Sequence, residues 1–164
     1  MKKRKFWVAF FLVTTILTAG IIFFFSAQTR DKSAQLSDGI VIKFSQAINL
    51  DYEKLSETSH RSVLEQLSHV IRKCAHFLEF ALLGFNLMGY LHFSRWKGSM
   101  HTHALIAWGL ATLYAGTDEL HQLFVSQRGP GLLDVGIDSA GALAGLLAMA
   151  LLVWLLRRKI NTLE

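Results

Sequence analysis

Polar residues at helical spacing interrupt three otherwise apolar parts of the sequence. In IRKCAHFLEF, Lys73, His76 and Glu79 follow one another at intervals of three. On a helix such residues lie on the same side and contact each other in turn. Two opposite charges with an imidazole between them are able to share protons and hydrogen bonds.

The second group lies in YAGTDELHQL. Tyr114, Asp118 and Gln122 fall on one stripe of a helix at intervals of four, with His121 beside it, whereas Glu119 lies on a different face. We therefore expect two polar faces. The first is turned to the inside of a helical bundle, and Glu119 is turned to the lysine of the first group or to water.

The third group lies in LLDVGIDSAGALAGL. Asp134 and Asp138 share a narrow helical stripe with Gly141 and Gly145, and the two glycines form a GxxxG pattern. This pattern allows another helix backbone to approach closely. We predict a packing seam at the glycines, either inside the molecule or between two copies, with both aspartates facing the partner helix.

The composition places these groups in a membrane protein. The chain has 164 residues, of which 52% are hydrophobic and 18% charged, with a single proline. An uncharged run over residues 6–25 follows MKKRK and is long enough to cross about 30 Å of hydrocarbon. Its length and its bulky Phe-rich end are typical of a retained anchor and not of a cleaved signal peptide.

The apolar runs predict an all-α integral membrane bundle of four transmembrane helices. The spans are expected at about residues 6–25, 74–92, 104–124 and 133–156, in a single domain over residues 1–164. The first outer loop, residues 26–72, contains short amphipathic helices, because apolar residues recur at helical spacing over residues 40–48 and 63–71.

The basic residues predict the orientation. Residues 2–5, the short loop with Arg95 and Lys97, and residues 157–159 all carry cations. Since short cytoplasmic segments are rich in Lys and Arg, we place both termini in the cytoplasm of a multi-pass cell-membrane protein. The lone Cys74 excludes an intrachain disulfide.

This topology brings the polar groups together at the outer ends of the helices. Inserting an ionisable residue into a membrane costs about 2.5–3.5 kcal/mol of free energy. Such a set is therefore expected to be paired or to serve a function. We predict a polar cup in the outer leaflet, made of Lys73, His76, Glu79, Asp118, Glu119, His121, Gln122, Arg128, Asp134 and Asp138.

Several kinds of chemistry find little support in the residues. His and carboxylates occur at ligand-like spacing, but without an H-E-x-x-H motif we predict no metal and no cofactor. Ser126 and Ser139 lie near the cup outside any nucleophile motif. Motifs for nucleic-acid binding and phosphate-binding loops do not occur, so no nucleic-acid partner is expected.

The order of these motifs resembles a known family. The motifs are Phe25-Ser26-x-Gln28, Lys73-x-x-His76-Phe77-x-Glu79-Phe80, Asp118-Glu119-x-x-Gln122, Arg128, and Asp134-Val135-x-x-Asp138-x-x-Gly141-x-x-x-Gly145. Together they resemble the VanZ family of small membrane proteins, over roughly the whole chain after the N-terminal cations. The resemblance implies a multi-span membrane protein of mainly Gram-positive bacteria. Its namesake is linked to low-level resistance to the lipoglycopeptide teicoplanin.

We therefore expect a protein of the cell envelope that binds an amphiphile in the cup, among the membrane lipids. A lipid-linked cell-wall precursor or a lipoglycopeptide fits this description. Lys73 and Arg128 would donate to its anionic or carbonyl groups, and the acids would hold its donors.

Two alternatives stay open. One is a membrane-embedded hydrolase or transferase acting on an envelope lipid, with Glu119 or His76 as general base. The other is a set of interhelical clasps without a ligand. We favour binding over catalysis.

Overall fold

A computed structural model describes residues 2–47, 57–125 and 131–161. Within these ranges the chain is helical, without a β-strand. The helices are α1 (Lys2–Ser26), α2 (Arg30–Ala47), α3 (Glu57–Phe93), α4 (Met100–Gln122) and α5 (Leu132–Asn161). The predicted all-α fold is therefore confirmed.

Three helices in the described part of the chain are long and apolar enough to cross a membrane. They are Lys2–Ser26, Arg61–Phe93 and Leu132–Lys159, which belong to α1, α3 and α5. They include the predicted first, second and fourth spans. The predicted third span forms a helix, α4, but α4 does not meet the same measure of length and hydropathy.

The predicted outer loop is more regular than expected. Its first amphipathic stretch lies mainly in α2, with Ile48 outside the described residues, whereas the second stretch is continuous with the span that follows. The reason is local, since residues 57–83 contain neither proline nor glycine and so nothing breaks the helix. As a result, α3 has 37 residues and extends well beyond one membrane thickness.

Polar side chains attach α2 to this extension of α3. Ser68 donates a hydrogen bond to Asp38, and Arg72 donates to the Ser37 hydroxyl over 3.5 Å. The side chain of Val41 is buried on the same face of α2. Consequently α2 packs against the part of α3 that precedes the bundle.

Helix α3 is the centre of the bundle and packs against every other helix. Residues 77 and 81 of α3 meet residues 141 and 145 of α5, so these two helices run in the same direction. The α1 helix runs opposite to α3, because Phe11 contacts Phe93 and Gly89 while Ile22 packs near Phe80. Helices α1 and α4 are parallel, as the Tyr114 hydroxyl donates to the Ala19 carbonyl over 2.7 Å and residue 26 meets residue 118.

Two apolar clusters form the core, one in each half of the bundle. The first is built around Phe11, Met88 and Leu146, and the second around Ile22, Phe80 and Ala115. Large apolar side chains also cover the outside, as shown by Leu113, which is 70% exposed. A helical bundle with apolar side chains both in its core and on its outer surface is suited to hydrocarbon surroundings.

The basic residues gather at one end of the bundle. Arg4 of α1 donates to the carbonyls of Phe93 and Ser94 over 3.0 and 2.9 Å, capping the end of α3. Nearby, Ser99 caps the start of α4 by accepting the Thr102 amide. We call this the basic end, and the opposite end, near residues 26, 73, 118 and 134, the polar end.

Candidate functional site

Asp118 is the residue through which α1 and α4 meet at the polar end. Its Oδ2 accepts a hydrogen bond from Ser26 Oγ over 2.9 Å and another from Gln122 Nε2 over 3.2 Å. Its side chain is only 3% exposed. The other carboxylate oxygen, Oδ1, is buried and accepts no hydrogen bond from the described residues. Asp118 is therefore a buried acid in which one carboxylate oxygen accepts two hydrogen bonds and the other accepts none from the described residues.

Glu119 connects α4 with the start of α5. The side chain is buried, and its Oε2 accepts the backbone amide of Gly131 over 2.8 Å. The sequence predicts Glu119 near Lys73 or in water, whereas in the structure its side chain contacts the N-terminal end of α5. A carboxylate at this position is favoured by the free amides of the helix start.

Lys73 forms its ion pair with Asp134, across α3 and α5. The two side chains keep 27% and 36% of their surface exposed, so the pair lies at the edge of the cluster. One turn further along α3, His76 Nδ1 lies 3.9 Å from Glu79 Oε2. The sequence predicts that Lys73, His76 and Glu79 contact one another in turn along α3. In the structure, Lys73 pairs with Asp134 of α5, whereas His76 lies beside Glu79 on α3.

Asp138 is the most deeply buried acid of the cluster, at 2% exposure. Its Oδ1 has no hydrogen-bond partner among the residues that the structure describes. One turn further along α5, Ala142 is buried in the same core cluster as Phe80 of α3 and Ala115 of α4. Asp138 therefore lies where α3, α4 and α5 converge.

The glycines of α5 fix this convergence. A Cβ atom at Gly141 would overlap the Phe77 carbonyl of α3, and one at Gly145 would overlap the Ala81 carbonyl. Gly84 of α3 is pressed in the same way against Ala142 of α5. The seam expected from the GxxxG pattern is therefore internal, and Asp138 lies one turn before its first glycine, Gly141.

Other predicted residues lie apart from the convergence or outside the described ranges. The His121 ring packs on Phe23 of α1, with ring centroids 4.6 Å apart. Ser139 donates to Thr112 over 3.1 Å. Arg128 and Ser126 lie outside the described residues.

Ser26 completes the cluster, although the spacing of the charged groups does not point to it. Its one sequence signal is the Phe25-Ser26-x-Gln28 motif that follows the first apolar run. We define the polar cluster as the described side chains of Ser26, Lys73, His76, Glu79, Asp118, Glu119, Gln122, Asp134 and Asp138.

The polar cluster contains more hydrogen-bond acceptors than donors. Five of its side chains are carboxyl groups, whereas Lys73 is its one lysine. Among the described residues, no three His, Cys, Asp or Glu side chains are grouped as ligands of a metal ion. This arrangement is suited to accepting hydrogen bonds, and uncompensated acids at this depth require donors.

Comparison with known proteins agrees with the motifs. The profile of the VanZ/LLP1 family matches residues 11–155, a range that includes all the residues of the polar cluster and the glycine seam. No curated protein and no solved structure matches the chain significantly. Because the family match extends over nearly the whole sequence, the chain belongs to the VanZ/LLP1 family.

Proposed function

We propose that this protein binds an amphiphilic molecule of the bacterial cell envelope at the polar cluster, in the outer leaflet of the cytoplasmic membrane. The observation that carries the proposal is the position of the cluster. Buried acids of α4 and α5 converge with the partly buried Glu79 of α3 near one end of a bundle whose outer surface is apolar. A ligand with a polar head and an apolar tail matches both surfaces.

The proposal includes four membrane spans. Helix α4 has 23 residues, which corresponds to about 34 Å, and it runs from the basic end to the polar end. Its Ala111 and Ala115 are buried in the same core cluster as Ile22 of α1 and Phe80 of α3. A helix packed along its length beside three spans crosses the same thickness, and its polar last turn is shielded by its neighbours.

The orientation follows from the basic end. Arg4, Arg95 and Lys97 belong to segments that lie at this end, together with the basic C-terminal turn of α5. Cytoplasmic flanks are rich in Lys and Arg, so the basic end is cytoplasmic and the polar cluster faces outward. Both termini then lie in the cytoplasm.

The ligand classes are a lipid-linked cell-wall precursor and a lipoglycopeptide. Lys73, at the exposed edge of the cluster, and Arg128 donate to phosphate or carbonyl groups, and the acids accept hydrogen bonds from the ligand's donors. Binding of a lipoglycopeptide such as teicoplanin would lower its concentration at its target and contribute to resistance.

A second candidate is a hydrolase or transferase that acts on an envelope lipid. It is favoured by one contact, the 3.9 Å between His76 Nδ1 and Glu79 Oε2. A histidine beside a carboxylate is able to act as a general base towards a bound water or hydroxyl. Turnover of the bound lipid, measured by mass spectrometry of the products, separates this candidate from binding alone.

The binding proposal is tested by lipid mass spectrometry of protein extracted within its native membrane patch. Wild type is compared with Asp134→Asn, and with Glu65→Gln as the matched control, since Glu65 is an exposed acid of α3 outside the cluster. We expect a lipid species enriched with wild type and with the control and lost with Asp134→Asn at equal protein abundance. Identical lipid profiles in all three samples would reject the proposal.

A further inference from the structure

We propose that the group of the ligand that enters the polar cluster is a primary ammonium, carried by the head group of an amphiphile and bound by Asp118 and Asp138. This inference rests on the proposed function and names the chemistry of its ligand. It follows from the charges of the cluster, from its unsatisfied acceptors and from the geometry of possible donors.

The charges of the cluster are unbalanced in favour of acids. Helix α1 contributes the neutral Ser26, and α3 contributes Lys73, His76 and Glu79. Helices α4 and α5 contribute only acids and an amide, namely Asp118, Glu119, Gln122, Asp134 and Asp138. Lys73 is engaged by Asp134, so the deeper acids lack a lysine or arginine of their own among the described residues.

Two buried acceptors point to a missing donor. Oδ1 of Asp118 and Oδ1 of Asp138 are both buried, and neither accepts a hydrogen bond from the described side chains or backbone. The two acids lie close to one another, because Ala115 and Ala142, one helical turn from Asp118 and Asp138 respectively, are buried in the same core cluster. A buried carboxylate oxygen without a donor is costly, so a ligand that donates to both oxygens removes this cost.

An ammonium group fits these acceptors better than other donors. It carries three N–H donors on one compact atom and no acceptor, so it is able to bridge carboxylates from different helices. A guanidinium is a planar fork suited to both oxygens of one carboxylate, and Ca²⁺ or Mg²⁺ takes six or more oxygen ligands. At the edge of the cluster, the ammonium of Lys73 already pairs with a carboxylate, that of Asp134.

The edge of the cluster offers a way in for such a head group. The side chains of Lys73 and Glu79 are both partly exposed, whereas Asp118 and Asp138 lie deeper. Beside Glu79, Leu78 is exposed and provides apolar surface for a tail. A zwitterionic head group would place its phosphate near Lys73 and its ammonium on the buried acids.

The test measures lipid binding to the purified full-length protein in detergent by native mass spectrometry. The probes are phosphatidylethanolamine, its N-acetylated derivative and phosphatidylglycerol. We expect phosphatidylethanolamine to bind at least tenfold more tightly than the other two. The acetylated lipid is compared on the unmodified protein, so this result does not depend on the folding of a variant. Equal binding of the acetylated lipid would overturn the inference.

Three variants and a soluble competitor complete the design. Asp138→Asn is expected to lose most of the preference for the amine, whereas Glu65→Gln keeps it. Glycerophosphoethanolamine, the head group without tails, is expected not to compete at equal concentration, and strong competition would overturn the requirement for an amphiphile. If phosphatidylglycerol binds best and Asp118→Asn abolishes that binding, the inference fails and the proposed function stands. If no lipid responds to Asp118→Asn, both fail.

Discussion

Ser26, the last residue of α1, donates a hydrogen bond of 2.9 Å to Asp118 of α4, although the two residues are 92 positions apart in the sequence. Both side chains are buried. A hydrogen bond to a charged group in such surroundings is worth about 1.5–3 kcal/mol. This contact therefore fixes the first helix against the acid at the centre of the polar cluster.

We expect Ser26→Ala to lower the stability of the purified protein by about 1–3 kcal/mol, because among the described residues Asp118 then keeps only Gln122 as a donor. In a double-mutant cycle with Asp118→Asn, the two losses should be less than additive. Thermal unfolding in detergent measures each corner of the cycle. Strict additivity would show that the hydroxyl and the carboxylate are energetically independent.

The ion pair between Lys73 and Asp134 is expected to hold α3 and α5 together at the polar end. Lys73→Glu should reduce the amount of folded protein in the membrane, and adding Asp134→Lys should restore it, because the pair is re-formed with its charges exchanged. The loss should lie near the lower limit of about 1.5–3 kcal/mol, since both side chains are partly exposed.

The control for this exchange is the pair Arg61–Glu65 on the surface of α3, whose side chains are 83% and 70% exposed. Arg61→Glu should leave protein abundance unchanged, because exposed ion pairs contribute little. Abundance is measured by quantitative immunoblotting of membrane fractions. If the Lys73→Glu, Asp134→Lys double variant did not recover the abundance of wild type while Arg61→Glu left abundance unchanged, the ion pair would not hold α3 and α5 together.

The glycine seam predicts a large effect of a single methyl group. Gly145→Ala places a Cβ atom onto the Ala81 backbone, so α3 and α5 must move apart, at a cost of about 1–3 kcal/mol. Gly136→Ala in the same helix is the matched control, since its Cβ would meet nothing within 4 Å. Thermal stability in detergent should fall for the first variant and stay the same or rise for the second.

The proposed orientation predicts opposite accessibility for the two ends of the bundle. In a Cys74→Ser background without other cysteines, Ser62→Cys lies on the exposed extension of α3 and Lys97→Cys lies in the exposed loop at the basic end. A membrane-impermeant maleimide applied to intact protoplasts should label position 62 and not position 97. After permeabilisation it should label both, and the reverse pattern would invert the topology.

Much of the candidate site follows from periodicity in the sequence. The intervals between Asp134, Asp138, Gly141 and Gly145 predict one stripe, and the seam against α3 shows two of these residues in contact with that helix. The length of α3 is missed because a pattern of amphipathic and apolar segments does not reveal whether a helix continues between them. Absence of helix breakers is the signal that joins the segments.

The contacts between residues of different helices do not follow from periodicity. Lys73 pairs with Asp134 and not with Glu119, and Glu119 accepts the amide of Gly131, although the composition of the helices permits either pairing. These contacts depend on how α3, α4 and α5 are rotated and shifted against one another. A one-turn shift of a helix would keep every periodic pattern and change every partner.

The sequence by itself determined the helical, membrane-type character of the chain and the polar faces of its helices, because these depend on composition and local periodicity. Only the tertiary structure decided that the seam is internal, that Ser26 completes the cluster and that the buried acids outnumber their donors. The reason is physical. Burial and pairing are properties of side chains from different helices, and close packing at three glycines sets the distance between α3 and α5 and so positions Asp138 at the convergence of α3, α4 and α5.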